Sequence, residues 1–413
     1  MGFGRLAGEI EGSGQKIPFL AWNRNLWNLS QYLVLCNKTM TSLVVLARRL
    51  DQGGAERQLV ALAKGLKCGG HNVHVVLFYG GGFFDGELTA AGVPVHFVHK
   101  SGRWDILGFL VRLILLLRKL RPAVIYSFLD VPNVLAALIR PIVGHPRLVW
   151  SVRAAGMEMR HYDWLSRLIP KLESGLSRSA NAIVANSEAG KKWAISRGFP
   201  RERMCVIENG IDTDYFRFDA AGRERVRNEW KIGAEETAIG LVARFDIMKD
   251  HRNFLRACAL LAAERDGLRF VCVGGGDAVY RAELDMLARR LGIADRVVWA
   301  GARANMPAAL SALDIVSSSS SFGEGFSNAI AEAMACERPC VVTDVGDSAR
   351  IVSGLGEVVP PRDAAGLAEG MAKMLDRIGT QPDIGYQCRA RIISEFSIDR
   401  MVSRTEQVLF REH

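Results

Sequence analysis

Ala238-Ile239-Gly240-Leu241-Val242-Ala243-Arg244-Phe245-Asp246-Ile247-Met248-Lys249 starts as a short apolar run and ends as a polar loop holding two cations. It restarts, past the middle of the chain, an alternation of strand and helix patterns that Leu43-Val44-Val45-Leu46-Ala47 opens. In the first series, strand-like runs recur at Val73–Phe78, Val95–Val98, Ala123–Phe128, Arg147–Val152, Ala182–Ala185 and Met204–Ile207. Helical patterns such as Ala55–Leu66 and Val131–Ile139 separate them. The second series has strands at Ala238–Val242, Leu268–Val273, Arg296–Trp299, Ile315–Ser318, Pro339–Thr343 and Glu357–Val359. Its helices are Asn253–Ala263, Ala282–Leu291, Asn328–Ala335 and Ala364–Leu375. Such alternation is the signature of a parallel sheet wound on both faces. The predicted fold is therefore α/β, with two Rossmann-like, doubly wound domains facing a cleft. Residues 40–212 form the first and 213–395 the second, with a polar joint at about 212–234 and a closing helix in 396–413 (Asp399–Phe410). Ligands of doubly wound sheets bind beyond the carboxyl ends of the strands, so the chemistry is expected in loops that follow strands.

Residues 1–39 show no period, and Met40 stands just before the first strand. The expectation is that this leader is a translation artefact or a poorly ordered tail. The alternative is a short membrane-adsorbing arm carrying Phe19, Leu20, Trp22, Leu26 and Trp27.

Hydrophobic residues make up 49% and charged residues 23% of 413, an ordinary globular balance that excludes disordered and collagen-like chains. Eight scattered cysteines form no Cys-x-x-Cys pair and no zinc spacing, as expected of reduced thiols in a reducing compartment. The net charge is +9, and residues 102–178 hold twelve Lys/Arg against five Asp/Glu. That local excess calls for an anionic partner. Nucleic acid is excluded as that partner, because no zinc-finger, aromatic-basic or basic-heptad signature accompanies the charge. No compact apolar run gives the first residues a signal peptide. The apolar window Trp104–Leu120 is too short to span a bilayer and carries Arg112. It reads as a helix packed on a sheet, with contact to the cytoplasmic leaflet as the second reading.

Three loops carry chemistry. Gly53 and Gly54, after the first strand and at a helix start, let backbone N–H groups approach an anion. Neither this pair nor Gly274-Gly275-Gly276-Asp277 matches a P-loop or the dinucleotide pattern, which counts against an NAD enzyme. Arg244 and Lys249 share the loop after the first strand of the second series, as a diphosphate gaining charge requires. In Ser321–Ala335, Glu324 lies in a loop, Gly325-Phe326-Ser327-Asn328 start a helix, and Glu332 lies one turn inside it. The helix start suits a phosphate, and a carboxylate suits a ribose diol.

Glu324-x7-Glu332, Arg244 with Lys249, Gly53-Gly54-Ala55-Glu56 and Ile207-Glu208-Asn209-Gly210-Ile211-Asp212 together resemble glycosyltransferase family 4, from about Met40 to the C-terminus. The resemblance implies the GT-B architecture and retaining, metal-independent transfer from a nucleotide-sugar donor, with no cofactor. It implies that Arg244 and Lys249 bind the diphosphate, Glu332 the ribose and Glu324 the transferred sugar, making Arg244, Lys249 and Glu324 the catalytic set. Gly53, Gly54, Gly325, Phe326, Ser327 and Asn328 complete the donor site. The chain departs from the family at Glu337, where many members have Gly, and at Arg153, where many have a catalytic His. Arg153 and, further on, His161 are thus the acceptor-side residues. Asp212-Thr213-Asp214 spells a metal motif at the joint and reads as a turn cap, so no metal is expected.

The expected reaction is front-face transfer, in which the leaving diphosphate takes the proton of the incoming hydroxyl. A retaining hydrolase would need carboxylates on both sides of the bond. The basic first domain suggests a glycan or lipid-linked acceptor, bacterial surface-polysaccharide or lipopolysaccharide assembly, and a cytoplasmic protein with peripheral contact to the anionic inner face of the membrane. The alternatives are a nucleotide-sugar epimerase and a catalytically silent binding scaffold.

Overall fold

The computed structural model describes residues 41–51, 53–102, 104–153 and 164–411. The leader and His161 lie outside the described residues. Two wholly parallel sheets form. The first is β1 (Ser42–Ala47), β2 (Asn72–Leu77), β3 (Val95–Phe97), β4 (Val124–Phe128), β5 (Arg147–Val152), β6 (Ala182–Ala185) and β7 (Met204–Val206), in the order β3-β2-β1-β4-β5-β6-β7. The second is β8 (Thr237–Val242), β9 (Leu268–Val273), β10 (Val297–Gly301), β11 (Ile315–Ser318), β12 (Cys340–Thr343) and β13 (Glu357–Val359), in the order β10-β9-β8-β11-β12-β13. Every strand run read from the sequence is a strand here. Parallel strands are covered on both faces, so their sequences are continuous apolar runs that punctuate the chain clearly.

In each sheet the order of strand addition reverses between two parallel neighbours, β1 and β4 in the first, β8 and β11 in the second. These are the crevices where such sheets take ligands. Helices fill the faces. Phe109, Leu113 and Leu117 cover one face of the first sheet, and Leu59, Leu62 and Leu66 the other. The second core gathers Phe254, Leu255, Phe270, Met334, Met371 and Phe396.

The joint differs from the expected polar segment. Residues 212–234 contain the helix Ala220–Glu229, and Phe216, Val226, Trp230 and Ile232 are buried in the second core. Buried Arg227 pairs with Asp314 at 3.1 Å. Its charges therefore fasten the segment to the second domain. The true crossing is narrower. Ile211 N–H donates to Phe396 O at 2.7 Å, and Ile398 N–H donates to Ile211 O at 3.2 Å, so the outgoing and returning chains bond to each other. The closing helix Ile398–Leu409 then returns to the first domain, burying Met401 and Leu409 in its core.

Gly210 is fixed by this crossing. A Cβ there would lie 2.7 Å from the Ile398 Cα. Gly210→Ala should cost about 1–3 kcal/mol, as overpacking against backbone does. Gly379→Ala, in the helix Ala364–Thr380 with open space around it, should be neutral or slightly stabilising. Urea unfolding of both variants tests this, and equal midpoints would show that the crossing is not tightly packed.

Candidate functional site

The glycine loop leaves β1 at its carboxyl end and opens the helix Gly54–Cys68, whose N-cap is Gly53. Across the cleft, the loop after β11 opens the helix Asn328–Ala335 at Ser327. No side chain caps that helix start, so its first amides keep their donors for an anion. The two helix starts meet. A Cβ on Gly54 would lie 3.2 Å from Asn328 Nδ2, and one on Gly325 would lie 2.8 Å from Asn186 Oδ1. Both glycines are therefore points of close approach between the domains.

Three polar links cross here. Arg57 Nη1 pairs with Glu332 Oε1 at 2.7 Å. Asn209 Nδ2 donates to Asn328 Oδ1 at 2.7 Å. Asp347 accepts from the Glu188 and Ala189 N–H groups at 2.8 and 2.9 Å, so a second-domain carboxylate caps a first-domain helix. Glu332 is buried, and burial raises its carboxyl to about 7 despite the opposing pull of Arg57. A buried carboxylate is costly, and Arg57 is the cation that answers it here.

Of the predicted site residues, Lys249 and Glu324 come together as an ion pair, with Ser320 Oγ donating to Glu324 Oε1 at 2.8 Å. Asp246 caps the turn Ile247–Lys249, and Asp250, left-handed at φ 46°, caps the next helix, which fixes the lysine's approach. His251 beside it is fully buried against Phe245, and burial lowers its pKa to about 4, so it is a neutral packing group. Arg244 does not join Lys249. Its side chain is 74% exposed, with Asp246 3.9 Å away. It bears electrostatically on Glu56 of the facing domain, so it stands over the cleft. The Phe326 ring packs edge-on against Phe396 at 5.2 Å in the second core, leaving only its backbone for a ligand. Ser327 and Asn328 lie at the helix start.

Arg153 is held by partners within the first domain. It donates from Nε to Ser151 Oγ at 2.9 Å and from Nη1 to Asn209 Oδ1 at 2.8 Å, and it stacks over Phe128. With the Asn209–Asn328 bond it forms a chain running across the cleft. Asp212 Oδ1 accepts from Asp214 N–H and Tyr215 N–H at 3.2 and 2.9 Å, a turn cap. Among the described residues, no three His, Cys, Asp or Glu side chains converge as metal ligands would.

Arg57 and Asp347 escaped the sequence reading, and Glu56 and Asn209 stood in it only as parts of motifs, without a role of their own. Arg57 and Glu56 follow Gly53-Gly54 within one helical turn, and that adjacency was the available signal. Glu56 lines a cleft of about 400 Å³ in the first domain with Arg48, Arg49, Asp51, Tyr79 and Phe128, and burial raises its carboxyl above the usual range.

Glu332 binds its proton more tightly in the folded chain than the ordinary value of 4.5 allows. Its contribution to stability therefore falls as pH rises from about 4.5 to about 7. Arg57→Ala removes the countercharge and extends that loss to higher pH. At about pH 8 the variant should be about 1–3 kcal/mol less stable than wild type, at the low end for a broken pair because Arg57 is 44% exposed. Near pH 6, with the carboxyl protonated, the deficit should shrink. Urea titrations at both pH values test this, and a deficit independent of pH would refute the coupling.

Two family models match the chain, "Glycosyltransferase Family 4" over residues 52–215 and "Glycosyl transferases group 1" over residues 236–377. The chain is 26% identical over 353 residues to the Campylobacter jejuni N-acetylgalactosamine-N,N'-diacetylbacillosaminyl-diphospho-undecaprenol 4-alpha-N-acetylgalactosaminyltransferase, covering 82% of this chain and 91% of that protein. It is 25% identical to the putative glycosyltransferase EpsF of Bacillus subtilis over 67% of this chain and 71% of that protein. The structure of Anabaena HepE in complex with UDP superposes with a TM-score of 0.79 at 23% identity, covering 89% of this chain and 99% of that chain. That likeness shows the fold to be GT-B. With both halves of the cleft matched in order, the chain belongs to glycosyltransferase family 4 and is a glycosyltransferase.

Proposed function

We propose that the chain is a retaining, metal-independent transferase that moves a sugar from a nucleoside diphosphate to a hydroxyl of a lipid-linked or glycan acceptor in bacterial surface-polysaccharide assembly. One observation carries the reading. The Lys249–Glu324 pair, the uncapped helix start at Ser327 and buried Glu332 line one switch-point crevice, facing the first domain's cleft across Gly54. The Campylobacter jejuni relative names a diphospho-undecaprenol acceptor, and a Rhizobium meliloti relative is a lipopolysaccharide core mannosyltransferase. HepE has been solved with UDP and with UDP-glucose. These names support a nucleotide-sugar donor and a lipid or glycan acceptor here.

In the proposed reaction Glu332 accepts a hydrogen bond from each ribose hydroxyl, and the amides of Ser327 and Asn328 meet the diphosphate with Lys249 and Arg244. The bond from the anomeric carbon to the diphosphate oxygen breaks. The acceptor oxygen, seated in the first-domain cleft, bonds that carbon on the same face, and its proton passes to the departing diphosphate. Lys249 and Arg244 offset the charge that grows as the bond breaks, the usual source of most rate enhancement. Glu324, tethered by Lys249 and Ser320, is placed to accept from sugar hydroxyls rather than to attack. Among the described residues no helix is long and apolar enough to cross a membrane. A lipid-linked acceptor would then be met by peripheral contact at the cytoplasmic face.

Arg244→Ala should lower kcat by about 10²–10³ without changing stability, since its side chain is largely exposed. Lys249→Ala should lower kcat similarly and also destabilise, because it strands buried Glu324. Unchanged kcat in both would remove them from the diphosphate. A chelator should leave the rate intact, and loss restored by manganese would overturn metal independence. The product's anomeric configuration, read by NMR, should match the donor's.

A further inference from the structure

The helix Ile106–Leu120 is apolar on two opposite sides. Phe109, Leu113 and Leu117 are buried, Phe109 meeting Phe78 edge-on at 4.9 Å. Directly opposite, Leu107, Val111 and Leu115 are 80%, 56% and 59% exposed, and Trp104 at the head of the row is 89% exposed. A helix facing water carries polar groups on that side, and contiguous apolar surface of this kind marks an interaction site. The row continues into exposed Ile142 of the adjacent turn Arg140–Val143, whose carbonyl accepts from Arg118 Nε at 3.0 Å.

The surrounding charge identifies the occupant. Between Val98 and Arg121 the only acid is Asp105, and it is paired with Arg112. Arg118, Lys119 and Arg121 are exposed at one end of the row, and Lys100 lies before its other end. An apolar row headed by Trp and flanked by cations without free acids matches the layering of an anionic bilayer, with acyl region within and phosphate without. We infer that Trp104, Leu107, Val111 and Leu115 form the surface by which the first domain lies on an anionic membrane, with Lys100, Arg118, Lys119 and Arg121 at the headgroups. The inference rests on the proposed lipid-linked acceptor, which obliges the first domain to reach a bilayer.

The test is co-sedimentation of the full chain with vesicles of phosphatidylglycerol and phosphatidylcholine, or phosphatidylcholine alone, at low and high salt. Wild type should bind the anionic vesicles and bind neutral ones weakly. Leu107→Ser, Val111→Ser and Leu115→Ser together should weaken anionic binding about 100-fold at either salt. Lys119→Gln with Arg121→Gln should weaken it about tenfold or more at low salt and little at high salt. Both variants should keep wild-type melting and wild-type slow hydrolysis of nucleotide sugar without acceptor. Anionic binding unchanged by the triple variant overturns the inference. So does a wild-type dimer that the triple variant makes monomeric without any vesicle binding, because the face then serves a second copy of the chain. Vesicle binding as expected, with no nucleotide-sugar turnover under any condition, would fail the transferase reading and leave the docking surface standing.

Discussion

Glu332 carries a charge that the fold can tolerate only because Arg57 reaches it from the other domain. The carboxylate is buried, its ionisation is pushed to about 7, and among the described groups Arg57 is the cation that answers it at 2.7 Å. A carboxylate buried this deeply accepts hydrogen bonds strongly in its low dielectric, and it destabilises the fold when unpaired. The crevice proposed for the donor is thus tied to the contact between the domains. The ion pair that makes the carboxylate tolerable also brings Gly54 against Asn328.

The rest of the cleft follows from that alignment. The chain crosses between domains at Ile211 and again at Ser397, and the crossings bond to each other. The two crossings thus form one short paired joint between the domains. Asp347 on the Glu188–Ser196 helix, Glu208 between Arg350 and Arg404, and Asn209 on Asn328 register the two domains at separate points. Arg153 links the first core to Asn209 and so supports the interface.

The fold was legible because buried parallel strands write themselves as apolar runs, and a run such as Cys340–Thr343 needs no partner to be recognised. The second-domain site was legible for a related reason. Glu324, Ser327 and Glu332 belong to one loop and one helix, so their spacing in sequence is their spacing in space. What crosses the cleft was not legible. Arg57 and Glu332 are 275 residues apart, and Arg153, Asn209 and Asn328 meet only through tertiary structure. The charged segment before Ala234 misled for a similar reason, since Arg227 finds Asp314 on a distant loop. Glu337 shows the converse. It takes φ 64°, the left-handed conformation in which glycine is at ease, which fits the glycine that the family resemblance leads one to expect there.

The central claim is that Glu332, in its ionised form and under closure by Arg57, holds the donor's ribose. It is tested most directly by calorimetric titration of the tightest binder from a panel of UDP- and GDP-sugars, between about pH 6 and pH 8.5. Nucleotide sugars have no ionisation of their own on the diphosphate in that range, so any slope belongs to the protein. Affinity should climb by up to about tenfold per pH unit below about 7 and level off above it, as the buried carboxyl loses its proton. Glu332→Gln should bind weakly with no such rise. An affinity independent of pH in wild type, or the same slope in Glu332→Gln, would contradict the account.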